Sequence, residues 1–215
     1  KGLVNKKKVI GFDRLPTGYQ KSFKDGLMKA TPEVQAVLGK MYAGADYALL
    51  NEHRSYYSDG KAKDVVHLGK NATPYTIAHE LFHKLDRGFK ISSTLQAGLT
   101  QDSVALNVVS GGDIKEYLIK TYPNVFTKEQ LTGEMIFLEK YRGISDILDG
   151  MSDGKVDYGY GHSEDYWKDP RMMEAEAWAQ FGGIHFENDP EVMKLFELLF
   201  PNFSRNAIIA LKGLM

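Results

Sequence analysis

The 215-residue chain contains no cysteine, which excludes disulfides, thiolate metal ligands and cysteine nucleophiles. It also lacks an excess of either charge, because 27 Lys and Arg residues are balanced by 28 Asp and Glu residues. A nucleic-acid-binding protein would carry a basic patch, and a membrane-surface protein a block of charge, so neither partner is expected. No apolar run approaches the roughly 18 residues that a membrane span needs, and no signal peptide is evident. The chain opens at Lys1 rather than at methionine, as a fragment or processed product would.

The apolar share of 43% is that of an ordinary globular protein, so we expect a single domain over residues 1–215. Two short apolar segments, Asp46–Leu50 and Asp64–Leu68, flank a tyrosine-rich segment, Ser55–Asp59. These three segments predict a small mixed sheet of about three strands. The remaining pattern is helical, which makes the predicted class α+β and mostly α-helical. N-terminal helices fall within 1–43, the sheet and one helix within 46–88, and a helical part within 100–215.

Two features of the C-terminal half give specific helix predictions. The spacing of Leu131, Met135, Leu138 and Tyr141 predicts an amphipathic helix over Thr127–Arg142. A second helix is predicted to open at Asp169-Pro170 and to end at Gly182-Gly183, because consecutive glycines often terminate helices.

The motif His79-Glu80-Leu81-Phe82-His83 lies inside a predicted helix, Thr73–Arg87, with Thr73 as cap and Pro74 at the first helical position. Residues four apart in a helix lie one above the other, so both imidazoles can bind one Zn²⁺ ion. Glu80 follows the first histidine and can reach a water at the metal as general base. The composition predicts only about 0.01 such motifs by chance.

A catalytic zinc needs a third protein ligand, and two positions are candidates. Glu176 lies in mid-helix among alanines, which suits a helix that packs closely against the histidine helix. Glu174 competes on the same helix, but it points about 160° away. The other candidate is Asp157, in the spacing G-x-x-D-x-x-Y-G over 154–161, which resembles the site of the aspzincins except that Lys155 replaces their threonine.

The arrangement with Glu176 resembles the gluzincins, in which a second helix supplies a glutamate to the zinc. Residues 46–203 are similar to a zincin-type domain found in phage minor head proteins and bacterial polymorphic toxins. The segments that carry the similarity are Ser145-Asp146-Ile147, Gly154-Lys155, Gly159-Tyr160-Gly161-His162, Tyr166-Trp167, Glu176-Ala177-Trp178-Ala179 with Phe181, and, upstream, Val66-His67-Leu68 with the motif itself and Asp86. This resemblance implies zinc bound by His79, His83 and Glu176. One departure is Phe82, where the group usually has glycine.

Further residues are expected to support catalysis. Tyr160 and His162 lie in a glycine-rich loop and are expected to stabilise the negative charge that develops on the substrate carbonyl oxygen, with Tyr166 as a weaker candidate. Asp86 shares a helix face with the two motif histidines, so it either orients a histidine or pairs with a nearby base.

Substrate binding is expected at the sheet, because zincins add an extended peptide to an edge strand. We assign that edge to Asp64–Leu68, which makes Val66 and His67 candidate substrate contacts. His53 and His185 have no partner in the sequence and are expected at the surface.

The sequence thus predicts a zinc-dependent endopeptidase that acts on a peptide or protein substrate, with virion or toxin components as potential partners. The alternative is a zincin-like structural module with little turnover, for which the bulky Phe82 is the best support. A nucleic-acid-binding module is a distant third. The sequence does not predict which peptide or protein is cleaved. The resemblance implies a phage- or prophage-associated protein or a delivered effector.

Overall fold

The computed structural model describes residues 8–58, 64–169 and 171–215. Its α-helices in this part are α1 (Thr17–Leu27), α2 (Pro32–Met41), α3 (Pro74–Phe89), α4 (Ser92–Val109), α5 (Ile114–Thr121), α6 (Arg142–Met151), α7 (Glu164–Trp167), α8 (Arg171–Glu187), α9 (Pro190–Leu199) and α10 (Pro201–Lys212). Its strands are β1 (Val9–Gly11), β2 (Asp46–Leu49), β3 (Tyr56–Ser58), β4 (Val65–Leu68), β5 (Phe126–Lys128) and β6 (Met135–Phe137). The chain is therefore α+β and mostly helical, as predicted.

The main sheet is mixed and its four strands have the order β1-β2-β4-β3. β1 lies in the N-terminal region, where only helices were predicted, and it pairs antiparallel with β2. β2 and β4 are parallel, and β3 pairs antiparallel with β4. The sequence Ser58-Asp59-Gly60 also predicts a turn, but Asp59 and Gly60 lie outside the described residues.

The prediction that Asp64–Leu68 forms the edge strand is wrong, because β4 lies between β2 and β3. Val66 has no exposed surface, and His67 hydrogen-bonds Ser58 across the β3–β4 pair at 2.9 Å. Neither residue is available at an edge for a substrate. The edge strand of the sheet beside α3 is β3.

The predicted helix over Thr127–Arg142 is also wrong, because the segment forms the hairpin β5–β6. Gly133 has a φ of +74°, a left-handed conformation that glycine adopts without strain and that ends a helix. Leu131, which the helical pattern had placed on the apolar face, is 93% exposed.

Helices α3 and α8 pack directly against each other and bring the two halves of the site together. A Cβ atom at Gly182 would overlap the Phe82 ring, and one at Gly183 would overlap Tyr75. The two glycines therefore allow the two helices to approach closely. The prediction that they end the helix is wrong, because α8 continues to Glu187. Trp178 donates a hydrogen bond to the carbonyl of Phe82 at 3.1 Å across the same interface.

One continuous apolar core lies beneath the sheet and the α3–α8 pair. Its largest fully buried side chains include Trp178, Phe82 and Phe181, whose rings are in mutual contact. His185 belongs to this core, since it is 4% exposed and lies 4.1 Å, between ring centroids, from Phe181. The prediction of a surface position was correct for His53, which is exposed, and wrong for His185.

Candidate metal centre

Helix α3 holds the two motif histidines on one face. Its start is fixed by a reciprocal cap, in which Thr73 accepts a hydrogen bond from the backbone of Thr76 and Pro74 occupies the first turn. One turn apart, His79 and His83 direct their Nε2 atoms towards each other, 3.2 Å apart. The helix therefore presents two nitrogen ligands to a single point.

Helix α8 brings Glu176 to that point. Its Oε2 lies 3.3 Å from Nε2 of His79, and its Oε1 lies 3.4 Å from Nε2 of His83. The carboxylate is 3% exposed, and the two imidazoles are 13% and 17% exposed. These three residues form a group that could hold a metal ion.

The donor set and its spacing suit zinc. A tetrahedral Zn²⁺ ion with bonds of about 2.0–2.1 Å keeps its ligand atoms about 3.3–3.4 Å apart, close to the separations found here. Oε2 of Glu176 and Nδ1 of His79 are buried without a hydrogen-bond partner among the described residues. A buried carboxylate oxygen without a donor is unfavourable by itself, and a metal ion would satisfy it.

The electrostatics of the group reflect close pairing of charges. Burial by itself lowers the pKa of His83, but the charge and hydrogen bonding of Glu176 raise it to about 9. Burial likewise opposes ionisation of Glu176, yet His83 and His79 hold the pKa of its carboxyl well below the usual range. The carboxylate is thus ionised, which is the form that binds a metal.

Glu80 lies beside the ligands and lines the cleft next to His79. It is 5% exposed, and burial raises the pKa of its carboxyl above the ordinary value, against the effect of His79 and His83. A backbone hydrogen bond from Tyr57 in β3 also reaches this carboxyl. A raised pKa brings a carboxylate closer to the range in which a general base works at neutral pH.

Helix α6 anchors the glycine-rich loop that precedes α7. The Ser145 hydroxyl donates to the carbonyl of Tyr160 at 2.7 Å and accepts from its N–H at 3.1 Å. Asp149 accepts from the backbone N–H of His162 at 3.0 Å and from the Trp167 indole at 2.9 Å. A Cβ at Gly161 would overlap the Asp149 carboxylate, so this loop approaches α6 only because residue 161 is glycine.

The anchored loop places His162 at the metal group. Its Nδ1 lies 2.9 Å from Oδ1 of Asp146, and its ring stacks on Tyr166 with centroids 4.0 Å apart. Tyr166 donates its hydroxyl to Oε1 of Glu176. Asp146, His162 and Glu176 also lie close enough to form a metal-binding group, but the first two are already hydrogen-bonded to each other.

Two cavities of about 620 and 740 Å³ meet at this centre. The first cavity also contacts Tyr75, Arg142 and Gln180, and the second cavity also contacts Tyr56 and Arg171. Both are lined by six common residues: Arg54, Ser55, His79, Glu80, His162 and Tyr166. They therefore adjoin as one cleft, in which His79 lines both cavities and His83 and Glu176 line the second.

No protein-family model matches the chain, and no curated protein or solved structure shows significant similarity to it. Within the part of the chain that the structure describes, no helix has both the length and the apolar character to cross a membrane.

Several predicted residues lie away from the three-ligand group. Asp157 is exposed and accepts the N–H of Gly159 at 2.6 Å, as a turn aspartate does. Glu174 lines the second cavity but belongs to neither candidate metal group found among the described residues. Tyr160 lines neither cavity. Burial and the charge of Glu139 raise the pKa of its phenol, against the charge of Arg142, so no candidate ligand acts on it.

Asp86 lies at the rim of the second cavity. Its two carboxylate oxygens accept hydrogen bonds from the Ser92 N–H and hydroxyl, at 2.6 and 2.8 Å. It thereby joins the end of α3 to the start of α4, and its charge contributes to the raised pKa of His83.

Sequence reasoning did not assign roles to Ser145, Asp146, Asp149 or Arg54. Ser145, Asp146 and Asp149 all lie in α6 and are buried polar side chains, with exposed fractions of 0%, 3% and 5%. Polar residues inside an apolar helical segment are the signal that could have found them, because such groups need a partner. Arg54 gives no such signal, since it lies in an exposed loop.

Proposed function

We propose that the protein is a zinc-dependent endopeptidase with a gluzincin-type site on a zincin-like fold. The observation that carries the proposal is the group of His79, His83 and Glu176, with 3.2–3.4 Å between facing ligand atoms and Glu80 beside them. Bound there, a zinc ion would polarise the substrate carbonyl and lower the pKa of water.

Glu80 is the proposed general base. Its carboxylate takes a proton from the attacking water and afterwards donates it to the leaving amine. Burial beside two imidazoles and the contact with the backbone of Tyr57 hold the carboxyl in place at the cleft.

His162 is proposed to stabilise the negative charge that develops on the carbonyl oxygen. It lines both cavities and carries an N–H donor within the cleft. Asp146 fixes the imidazole by its bond to Nδ1 and raises its pKa, which favours the imidazolium form, in which Nε2 also carries a hydrogen that it can donate to the substrate. Tyr166 lines both cavities as well, but its hydroxyl donates to Oε1 of Glu176, so it is proposed to position that ligand. Tyr160 has no part in this proposal, because its phenol lies outside the cleft.

A substrate peptide is proposed to extend along β3. This strand ends the sheet, and Tyr56 and Tyr57 line the second cavity next to the metal group. Backbone hydrogen bonds at a sheet edge hold a peptide in extended form regardless of its side chains. The biological setting in a phage head protein or a toxin rests on the sequence resemblance alone.

Neither alternative gains support from a specific observation. The inactive-module hypothesis depended on Phe82, which has no exposed surface and packs against Gly182 rather than filling the cleft. The aspzincin arrangement depended on Asp157, whose carboxylate caps a turn.

The function is tested with zinc-loaded protein and a mixture of unmodified peptides, with new N-termini detected by mass spectrometry. We expect cleavage by the wild type and at least about a thousandfold less by Glu80→Gln, which keeps the ligands but loses the base. Glu197→Gln makes the same chemical change at an exposed position on α9 that lines neither cavity, and it serves as the control for the substitution. Equal cleavage by the wild type and Glu80→Gln would contradict the proposal.

A further inference from the structure

The first cavity is lined by more basic than acidic side chains. Apart from Glu80, Tyr166 and the imidazoles of the site, its ionisable lining consists of Arg54, Arg142, Tyr75 and His53. It therefore presents two guanidinium groups and no carboxylate beyond the proposed general base. A cleft of one sign concentrates substrates of the opposite sign.

The two arginines differ in whether a carboxylate of the protein already neutralises their charge. Arg142 lies over the Tyr75 ring at 3.9 Å and pairs with Glu187 at 2.7 Å. Arg54 forms no ion pair with any carboxylate in the described residues. It lines both cavities together with His162 and Glu80, which places the guanidinium beside the reacting groups.

The second cavity shares Arg54, but carboxylates balance its other cations. Its Arg171 pairs with Asp169 at 2.7 Å and its Arg87 lies 3.6 Å from Asp64. Asp86, Glu174 and Glu176 line the same cavity as its remaining cation, Lys90. Arg54 lies where the cavities adjoin, and the second guanidinium, Arg142, lines the first cavity alone, so an anionic group of a bound peptide would be favoured on the first-cavity side of Arg54.

We propose that the cleft selects peptides with a carboxylate in the first cavity, and that Arg54 is the residue that recognises it. This inference rests on the proposed function and names its substrate class, an acidic peptide. Arginine binds a carboxylate with two parallel hydrogen bonds, so the contact supplies orientation as well as charge. The carboxylate can be an Asp or Glu side chain or a C-terminus, and the two sources are distinguished by experiment.

The first test compares the cleavage sites of the zinc-loaded wild type, Arg54→Glu and Arg205→Glu in a peptide mixture. Arg205 is exposed on α10 and lines neither cavity, so its variant makes the same charge change elsewhere. We expect Asp and Glu to be enriched about tenfold at one position on one side of the cleaved bond. Arg54→Glu should lose this enrichment and favour Lys or Arg there, while Arg205→Glu should keep it.

A second test measures binding without turnover. Zinc-loaded Glu80→Gln is titrated with the capped peptide acetyl-Ala-Ala-Glu-Ala-Ala-amide and with its glutamine counterpart, and binding is followed by the arginine side-chain N–H resonances. The glutamate peptide should bind about tenfold more tightly, and the difference should vanish in the Arg54→Glu background. A glutamine peptide with a free C-terminus shows whether a terminal carboxylate suffices.

The outcomes separate the two ideas. Selective binding without any cleavage would refute the endopeptidase but support the acidic-peptide site. Cleavage without acidic enrichment, equal binding of the two capped peptides, or binding of neither would overturn the role of Arg54.

Discussion

Asp146 is 3% exposed, and its two carboxylate oxygens have different partners. Oδ1 holds Nδ1 of His162 at 2.9 Å, and Oδ2 accepts from the Gln180 amide at 2.6 Å. Gln180 in turn accepts the hydroxyl of Tyr75. This chain of hydrogen bonds runs from α6 through α8 to α3 and fixes the imidazole that faces the cleft. Asp146 therefore acts as a positioning residue for His162.

We expect Asp146→Asn to lower kcat about tenfold to a hundredfold with little change in KM, because His162 loses its orientation but the substrate contacts remain. The pKa of His162, measured by NMR titration, should fall, since the hydrogen bond and charge of Asp146 raise it against the effect of burial. Asp153→Asn is the control, because Asp153 is exposed and, among the described residues, forms its ion pair with the exposed Lys155. An unchanged kcat with an unchanged pKa of His162 would contradict this role.

At the scale of elements, the contact between α3 and α8 decides whether the three ligands meet. Phe82 fills the space that a side chain at residue 182 would occupy, so the bulky residue in the motif and the glycine in the facing helix are complementary. This pair also explains why the motif tolerates Phe82: its ring points into the core and away from the cleft.

The complementarity predicts the effect of Gly182→Ala. The added methyl group would overlap a ring that cannot move aside, so the free energy of unfolding should fall by about 2 kcal/mol. Gly39→Ala is the matched control within α2, because nothing lies near its Cβ position, and it should be neutral or stabilising by about 0.5–1 kcal/mol. Urea unfolding of both variants provides the measurement. Equal effects would show that the helix contact is not tight.

Local sequence signals predicted some elements well. The cap at Thr73 and Pro74 gave the start of α3, and with it the relative placement of His79 and His83. The hairpin β5–β6 was missed because apolar residues three and four apart imitate a helix, although Thr132-Gly133 marks a turn. The order of strands could not be predicted, since β4 pairs between β2 and β3 through contacts that are distant in sequence.

At the scale of the whole molecule, stability is linked to pH through His185. Burial lowers the pKa of this imidazole to about 4, against the opposing charge of Glu33, and its Nε2 has no hydrogen-bond partner among the described residues. The folded chain therefore holds His185 neutral, whereas the unfolded chain binds a proton near its ordinary pKa of 6.5. Protonation below pH 6.5 thus favours unfolding.

We expect His185 to remove about 3 kcal/mol of stability as the pH falls from 6.5 to about 4, with no further loss below that range. In His185→Leu this loss should be absent, because no proton binds at that position. His53→Leu, at an exposed position, should retain the dependence of the wild type. Urea unfolding at a series of pH values measures all three, and the same pH dependence in His185→Leu would refute the assignment.

The candidate ligands illustrate which parts of a site a sequence can give. Spacing within one helix gave His79, Glu80 and His83, and small flanking residues singled out Glu176 before any fold was known. The loop residues were harder, since whether Tyr160 or Tyr166 faces the cleft depends on how Ser145 and Asp149 anchor the chain between them. Arg54 could be assigned a role only from the structure, which shows that it lines both cavities.

The central claim is that His79, His83 and Glu176 together bind one zinc ion, and the most direct test is zinc content by elemental analysis. We predict about one zinc per chain in the wild type, Glu80→Gln, Glu174→Ala and Asp157→Ala. Glu176→Ala should lose most of it, and Glu176→Gln, which preserves the packing, should also bind weakly. Retention of a full equivalent in both Glu176 variants, or no zinc in reconstituted wild type, would contradict the account.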